Sequence, residues 1–240
     1  MIGARCLGLR AGFAKANCSP MSYSLRPDLT FCFVQQRAVF LDMAADRYFC
    51  LDGPADDGFS RLVGGEPLTS FDHEILTRLV TRDILNATDM GNVPTPCRHP
   101  APRISHLGGL RALPAMRQLP SIIWHLTATN RRLRAGAFAH LVQHVARTKT
   151  QICKTNLVAD NLYALARTYD WTRRFVMPLD HCLVRAIALA TQAAKAGYPI
   201  DLVFGVQLRP FAAHCWVEHD GMVLDDRLDH VGHFTPILAI

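Results

Sequence analysis

The chain contains 240 residues, a length that corresponds to one large or two small domains. Half of the residues are hydrophobic and 19% are charged, so the composition excludes a disordered chain, and the apolar runs are too short to cross a bilayer. The formal net charge of +6 is compatible with acidic partners or nucleic acid, although a solvated basic surface explains it at least as well.

Cysteine usage and the N-terminus both bear on where the protein is found. The eight cysteines include no C-x-x-C pair and are too sparse for a disulfide scaffold, which favours a reducing, cytoplasmic environment. Ala14-Lys15-Ala16 loosely resembles a signal-peptidase site, but the apolar stretch before it is short and contains Arg10. Residues 1–20 are therefore predicted to be a disordered extension, and folded structure is expected from Met21.

The next segment, residues 21–90, has the pattern of a small winged-helix-like module. Between Leu29 and Leu51 apolar residues alternate with polar or small ones, and two turn signals divide the stretch into three short antiparallel strands. Pro54 can open a helix that Gly64-Gly65 ends. Ser70 is a suitable N-cap for a second helix, whose predicted apolar positions are Phe71, Ile75, Leu79 and Val80.

Residues 91–103 contain four prolines and one glycine, which is typical of a linker, and the second domain is predicted at 104–240. Its first part has three amphipathic helical stretches, at 114–134, 136–148 and 155–171. A further helix is predicted from Cys182 to Ala196, with Asp180 as its N-cap and Gly197 after its end; three strands follow within 200–224. The fold class is therefore α+β.

Three residues near the C-terminus carry a possible chemistry. Cys182 falls in the first turn of a helix, where the partial positive charge favours a thiolate and the free N–H groups can hold an oxyanion. His214 begins the second of the three strands, and an acid, Asp225 or Asp226, follows the third. Cysteine, histidine and acid in this chain order are typical of papain-like and transglutaminase-like thiol enzymes.

The choice between the two acids depends on the turn at Asp220-Gly221. A two-residue loop would put Asp225 on the face of His214, whereas a three-residue loop with a glycine bulge would pair His214 with Asp226. The second turn suits the sequence His-Asp-Gly, but residue chemistry alone leaves both acids open.

Two other interpretations of these residues compete with catalysis. A cysteine on an apolar helix is usually ordinary core packing. A zinc site is conceivable because cysteines and histidines are frequent here, but neighbouring residues on a strand point to opposite faces, so no metal site is predicted. The residues considered for it are His181, Cys182, His214, Cys215, His219, His230 and His233.

Residues 182–226 closely resemble the leader peptidases of lasso peptide biosynthesis, the B proteins, which are transglutaminase-like. The shared cues are C-L-x-R before a helix that ends in glycine, then V-F-G-V, then R-P-F-x-A-H-x-W-V-E, then D-G-x-V-L-x-D. The resemblance implies Cys182 as nucleophile, His214 as base and Asp226 as the acid that orients the base. The chain departs from the family at Asp225, where asparagine is common, and at Cys215, where alanine is common.

The N-terminal module is similar to the peptide-recognition element that such proteins carry. The resemblance implies that a leader peptide adds a strand to a sheet edge and places side chains against a helix. The predicted edge consists of Arg47, Tyr48, Phe49, Cys50 and Leu51, and the predicted groove lies on the helix at Ile75–Leu85, with Ile75 and Leu79 as contacts. Alternatively, these residues only pack the module.

The resemblance implies a cysteine endopeptidase that removes the leader from a ribosomally made precursor, in antibiotic biosynthesis, with a threonine expected next to the cut. Its expected partners are the precursor and an asparagine-synthetase-like cyclase, with neither nucleic acid nor a membrane. No cofactor is predicted: the sequence has no G-x-x-x-x-G-K motif, so any ATP dependence would come through the cyclase. The alternatives are amide transfer by the same fold and a non-catalytic winged-helix nucleic-acid binder; acidic residues on the second helix argue against the latter.

Overall fold

The structure is a computed structural model that describes residues 22–88, 92–108, 115–151, 158–173 and 182–240. The predicted N-terminal extension and the predicted N-cap Asp180 lie outside these residues. The strands are β1 (Ser22–Leu25), β2 (Leu29–Val34), β3 (Arg37–Asp42), β4 (Arg47–Cys50), β5 (Leu85–Thr88), β6 (Ile104–Ser105), β7 (Asp201–Leu208), β8 (Phe211–His219), β9 (Met222–Val223) and β10 (Thr235–Ala239). The helices are α1 (Gly53–Gly64), α2 (Ser70–Thr81), α3 (Leu119–Arg134), α4 (Phe138–Thr150), α5 (Ala159–Thr172), α6 (Cys182–Lys195) and α7 (Leu228–Val231).

The three predicted N-terminal strands are confirmed as the antiparallel sheet β2-β3-β4. The chain reverses between β2 and β3 at Gln35 and Gln36, which both have positive φ, the geometry of a tight hairpin turn. The first predicted helix is also confirmed: the Asp52 side chain accepts the N–H of Ala55 at 3.2 Å, and Gly65 ends the helix with φ of 68°.

The second helix differs from the prediction at both ends. Its N-cap is Thr69, not Ser70, because Thr69 and Asp72 form a reciprocal capping box with bonds of 2.9 and 3.2 Å. Phe71 is 58% exposed and so lies off the buried stripe. The helix ends at Thr81, and Leu85, predicted within it, belongs to β5, which pairs antiparallel with β1.

The sheet β2-β3-β4 is buried on both faces, because alternate residues of a strand point to opposite sides. One face, which includes Phe31, Phe40 and Phe49, packs against α1 and α2 in the core of the N-terminal module. The other face, which includes Leu41 and Tyr48, packs into the core that contains α3 to α6. The two parts of the chain therefore share a packed interface.

The proline-rich stretch contributes no helix or strand between residues 92 and 103. It is nevertheless held by hydrogen bonds to strand β2 and to the turn between β8 and β9. The N–H of Cys97 donates to the carbonyl of Phe31 at 2.8 Å, and the N–H of Arg103 donates to that of Gly221 at 2.9 Å. The division of the chain into domains at 91–103 remains a prediction.

The second part of the chain consists of helices followed by a five-stranded sheet in the order β10-β7-β8-β9-β6, so the α+β class is confirmed. Helix α6 begins at Cys182 as predicted and is the most completely buried of the helices described. It packs against α3, α4 and β8. Gly197 follows its end with φ of 89°, as predicted. No helix within the described ranges is long and apolar enough to cross a membrane.

Candidate active site

The candidate site lies where the start of α6 meets strand β8. Cys182 is the first residue of α6 and is half-buried against the large core, while His214 lies on β8 opposite Gly205 of β7. Because α6 packs directly on β8, the fold brings the thiol beside this strand. The N-terminus of α6 supplies free N–H groups and a partial positive charge at the same point.

His214 and Asp226 form a short, buried hydrogen bond between their side chains. The Nε2 atom of His214 lies 2.5 Å from Oδ2 of Asp226, and both side chains are more than nine-tenths buried. Since an ionised carboxylate only accepts hydrogen bonds, Nε2 carries the proton. Nδ1 is then the ring nitrogen that remains for Cys182.

The turn that brings the acid there is not the one that the sequence His-Asp-Gly favoured. Pairing of His219 with Met222 makes Asp220-Gly221 a two-residue loop, so the three-residue loop was wrong. Strand β9 ends at Val223, however, and the side chain of Asp225 turns to accept the N–H of Val217 at 2.9 Å. Because the strand has ended, its alternation no longer decides which side chain faces His214, and Asp226 reaches the His214 ring even though the loop is the shorter one.

The charges of the site favour an ion pair between thiolate and imidazolium. Interaction with the Cys215 side chain and then with His214 outweighs burial and lowers the pKa of Cys182 to about 4. Burial disfavours the His214 cation, but Asp226 and Cys182 outweigh it and raise the pKa of His214 to about 9. Burial likewise opposes ionisation of Asp226, yet its hydrogen bonds hold the pKa of that carboxyl below its usual range. Between about pH 4 and pH 9, therefore, the Cys182 side chain is a thiolate and His214 carries a proton.

The second acid, Asp225, has a structural role in this arrangement. It is 2% exposed, and burial raises its pKa to about 6, an effect that the nearby Arg185 opposes. Its carboxyl group holds the backbone of β8 at Val217 rather than the imidazole. The geometry thus separates the two neighbouring acids, one on the backbone and one on the ring.

The buried indole ring of Trp216 packs against the imidazole of His214. The Trp216 ring stacks near the imidazole with centroids 6.0 Å apart, and its N–H donates to Glu218 at 2.6 Å. The other oxygen of Glu218 is 3.0 Å from Nε2 of His99 in the proline-rich stretch. A Cβ on Gly205 would lie 2.8 Å from the Trp216 ring, so glycine is needed here for the ring to cross β7.

Two features of the site were missed by sequence reasoning. His230, from the short helix α7, places Nδ1 3.0 Å from Oδ2 of Asp226, which thus accepts from two histidines. His230 was considered only as a zinc ligand, and its position four residues after the acid was the signal for this contact. Contact between Cys215 and the thiol of Cys182 was also missed, since Cys215 was considered only as a zinc ligand and as a departure from the family pattern.

Potential metal ligands converge once among the described residues, at His214, Asp226 and His230, whose ligand atoms lie within 4.8 Å of one another. These atoms are the ones that hydrogen bond to each other, so the hydrogen-bond network accounts for their approach. The wider zinc set considered from the sequence is not assembled among the described residues, and His181 lies outside them.

The predicted leader-binding residues fall into two groups. Strand β4 is the last strand of its sheet, and no other strand in the described ranges pairs with its outer edge. Arg47 is exposed, Tyr48 to Cys50 are half-buried and Leu51 is buried. Ile75 and Leu79 are 6% and 1% exposed and belong to the module core. Both also line a groove of about 190 Å³ between α1 and α2, with the exposed Phe71 at its rim.

This arrangement of helix, strand and hairpin is that of cysteine-protease-like α+β domains. A comparison with protein-family models agrees: residues 123–239 match the model described as transglutaminase-like superfamily, and this part of the chain is therefore a transglutaminase-like domain. Domains of this superfamily are generally cysteine-protease-like enzymes. Neither a curated protein nor a solved structure matches the chain.

Proposed function

We propose that this protein is a cysteine endopeptidase that binds a lasso precursor peptide through its leader and cleaves the leader from the core before macrocyclisation. The observation that carries the proposal is the 2.5 Å bond between His214 and Asp226 beside Cys182 at the start of a buried helix. The choice of a lasso precursor is supported by the motifs of residues 182–226. The family match, which covers these residues, supports the coarser part of the proposal, a transglutaminase-like thiol enzyme.

The proposed reaction proceeds through an acyl-thioenzyme. The Cys182 thiolate attacks the carbonyl carbon of the scissile amide, and N–H groups at the start of α6 stabilise the oxyanion. The His214 imidazolium gives its proton to the leaving amine. Water, deprotonated by the neutral imidazole, then releases the leader as a free acid. Asp226 keeps the ring oriented throughout through Nε2.

Leader recognition is proposed at the outer edge of β4. An edge strand offers unpaired backbone groups to an incoming extended peptide, and the groove lined by Ile75 and Leu79 offers an apolar surface to its side chains. The same strand contacts the catalytic part of the chain: Tyr48 packs against the core that also contacts Cys182, and its ring lies 5.8 Å from that of Phe211 on β8. A leader bound along β4 would therefore hold its core segment near the thiol.

The proposal includes the cyclase as a partner. A leader peptidase delivers a new α-amine at the start of the core, which an asparagine-synthetase-like enzyme would join to a side-chain carboxyl at the expense of ATP. We accordingly propose that any ATP requirement of maturation belongs to that partner, that this protein needs no cofactor, and that it acts in the cytoplasm.

The test compares wild type with Cys182→Ala on a lasso precursor that has threonine next to the cut. Wild type should release two fragments whose masses add up to the precursor plus one water, whereas Cys182→Ala should release none yet bind a fluorescent leader with unchanged affinity. Cys97→Ala, which changes a half-buried cysteine in the proline-rich stretch, is the matched control and should cleave normally. Cleavage by Cys182→Ala would refute the mechanism.

Acyl transfer is a second candidate, because the family match at residues 123–239 fits amide formation as well as hydrolysis. Both reactions share the acyl-thioenzyme and differ only in whether water or an amine accepts the acyl group. The mass of the product distinguishes them: hydrolysis gives a free carboxylic acid, and transfer to an added primary amine gives an amide with the mass of that amine.

A further inference from the structure

The side chain of Asp226 is shared between two histidines. Its Oδ2 atom lies 2.5 Å from Nε2 of His214 and 3.0 Å from Nδ1 of His230, and its Oδ1 atom accepts the N–H of Arg227 at 2.7 Å. The Asp226 carboxylate is ionised and can only accept hydrogen bonds, so Nε2 of His214 and Nδ1 of His230 must both donate. Three donors thus fix the plane of one carboxylate.

We propose that His230 is a positioning residue that holds the Asp226 carboxylate in the orientation His214 requires. This inference rests on the proposed function, because it assigns His230 to the same reaction. His230 acts through Asp226: its hydrogen bond goes to the acid, while its ring lies tilted against that of His214 with centroids 4.6 Å apart.

The surroundings explain how His230 is held without being part of the core. Its side chain is 51% exposed, and its ring contacts that of Phe234 edge-on at 5.6 Å. The centroid of the Phe234 ring in turn lies 5.2 Å from that of the His214 ring, so both histidines contact the same aromatic side chain. Helix α7 begins two residues after Asp226 and places His230 one turn further along. Because the side chain is half-exposed, its removal should affect orientation far more than folding.

Asp226 can hold the imidazole of His214 only while its carboxylate keeps one orientation. The bond from Arg227 restrains only Oδ1, and rotation about the Cβ–Cγ bond would carry Oδ2 away from Nε2. A hydrogen bond from His230 to Oδ2 opposes that rotation. Groups that orient a catalytic side chain in this way typically contribute about tenfold or more to the rate.

The test is a double-mutant cycle between His230 and Asp226, with precursor cleavage and the alkylation of Cys182 as separate readouts. His230→Ala should lower kcat about tenfold with little change in KM or in the thermal midpoint of unfolding. His230→Asn, whose side-chain amide occupies the position of Nδ1–H, should recover most of that loss. In the Asp226→Ala background the same His230→Ala change should alter kcat less than twofold. His233→Ala, a change at an exposed neighbour, is the control and should behave as wild type.

Equal losses from His230→Ala in both backgrounds would overturn the inference, as would an asparagine variant as impaired as the alanine variant. If wild type cleaves no precursor, the proposed function fails but this inference is still decided by alkylation. The pH midpoint at which iodoacetamide modifies Cys182 should then rise in His230→Ala and stay unchanged when the substitution is added to Asp226→Ala. An unchanged midpoint in the single variant would refute the role.

Discussion

The ionisation of Cys182 is the property on which the proposed chemistry depends, and His214→Ala tests it directly. The pKa of this thiol is lowered from 9.0 to about 4, by contact with Cys215 and by the His214 cation, against the opposing effect of burial. An opposite charge in contact typically changes a pKa by about 1 to 3. Removing the imidazole alone should therefore raise the midpoint from about 4 to about 6, because the contact with Cys215 remains.

At pH 5 this change is large. A thiol with a pKa of about 4 is roughly 90% thiolate, whereas one with a pKa of about 6 is roughly 10% thiolate. The assay is a pH titration of thiolate ultraviolet absorbance, with the curve of a Cys182→Ala protein subtracted to remove the other cysteines. Midpoints are compared instead of alkylation rates, since a thiolate of low pKa is also intrinsically less nucleophilic.

Two outcomes of the His214→Ala titration would contradict this prediction. A wild-type midpoint near 9.0, or a midpoint that does not move in His214→Ala, would show that the thiol and the imidazole do not interact. A second variant, Cys215→Ala, removes the other contact and should also raise the midpoint. Together the two variants separate the charge effect of the imidazole from the effect of the neighbouring thiol.

Three further outcomes follow from the geometry. Precursor cleavage should be fastest between about pH 4 and pH 9, because below that window the thiolate gains a proton and above it the imidazolium loses one; a kcat/KM profile with a single limb near pH 7 would contradict the ion pair. Gly205→Ala should destabilise the protein by about 1 to 3 kcal/mol in a denaturant titration, because the new methyl group would lie 2.8 Å from the Trp216 ring. Gly53→Ala is the control: its methyl group would have no atom within 4 Å, so the free energy of unfolding should change little. Similar values for both variants would refute the packing argument. Phe71→Ser should weaken leader binding about tenfold in an anisotropy assay, and Trp124→Ser, at another exposed aromatic residue, should not; equal effects would place the leader elsewhere.

Local signals in the sequence determined the parts of the fold that depend on near neighbours. Strands β2 to β4 follow from alternation and from two turn signals, and the end of α6 follows from Gly197. The approach of Cys182 and His214 was also predicted, because the order of helix and strands that carries them is continuous in the chain. Each of these features is specified within about 35 residues.

Only the tertiary structure decided the features that depend on distant contacts. The β1-β5 ribbon joins Ser22–Leu25 to Leu85–Thr88, and no local periodicity encodes that pairing. The second buried face of the N-terminal sheet is likewise visible only once α3 to α6 pack against it. The choice of Asp226 over Asp225 depends on where β9 stops: the turn alone favours Asp225, but a backbone N–H of β8 takes that carboxyl and leaves its neighbour to the imidazole. Local patterns determine which face of a strand a residue occupies. The hydrogen-bond partner of a buried side chain depends instead on competition among the buried donors and acceptors around it, and that competition is decided only in the packed structure.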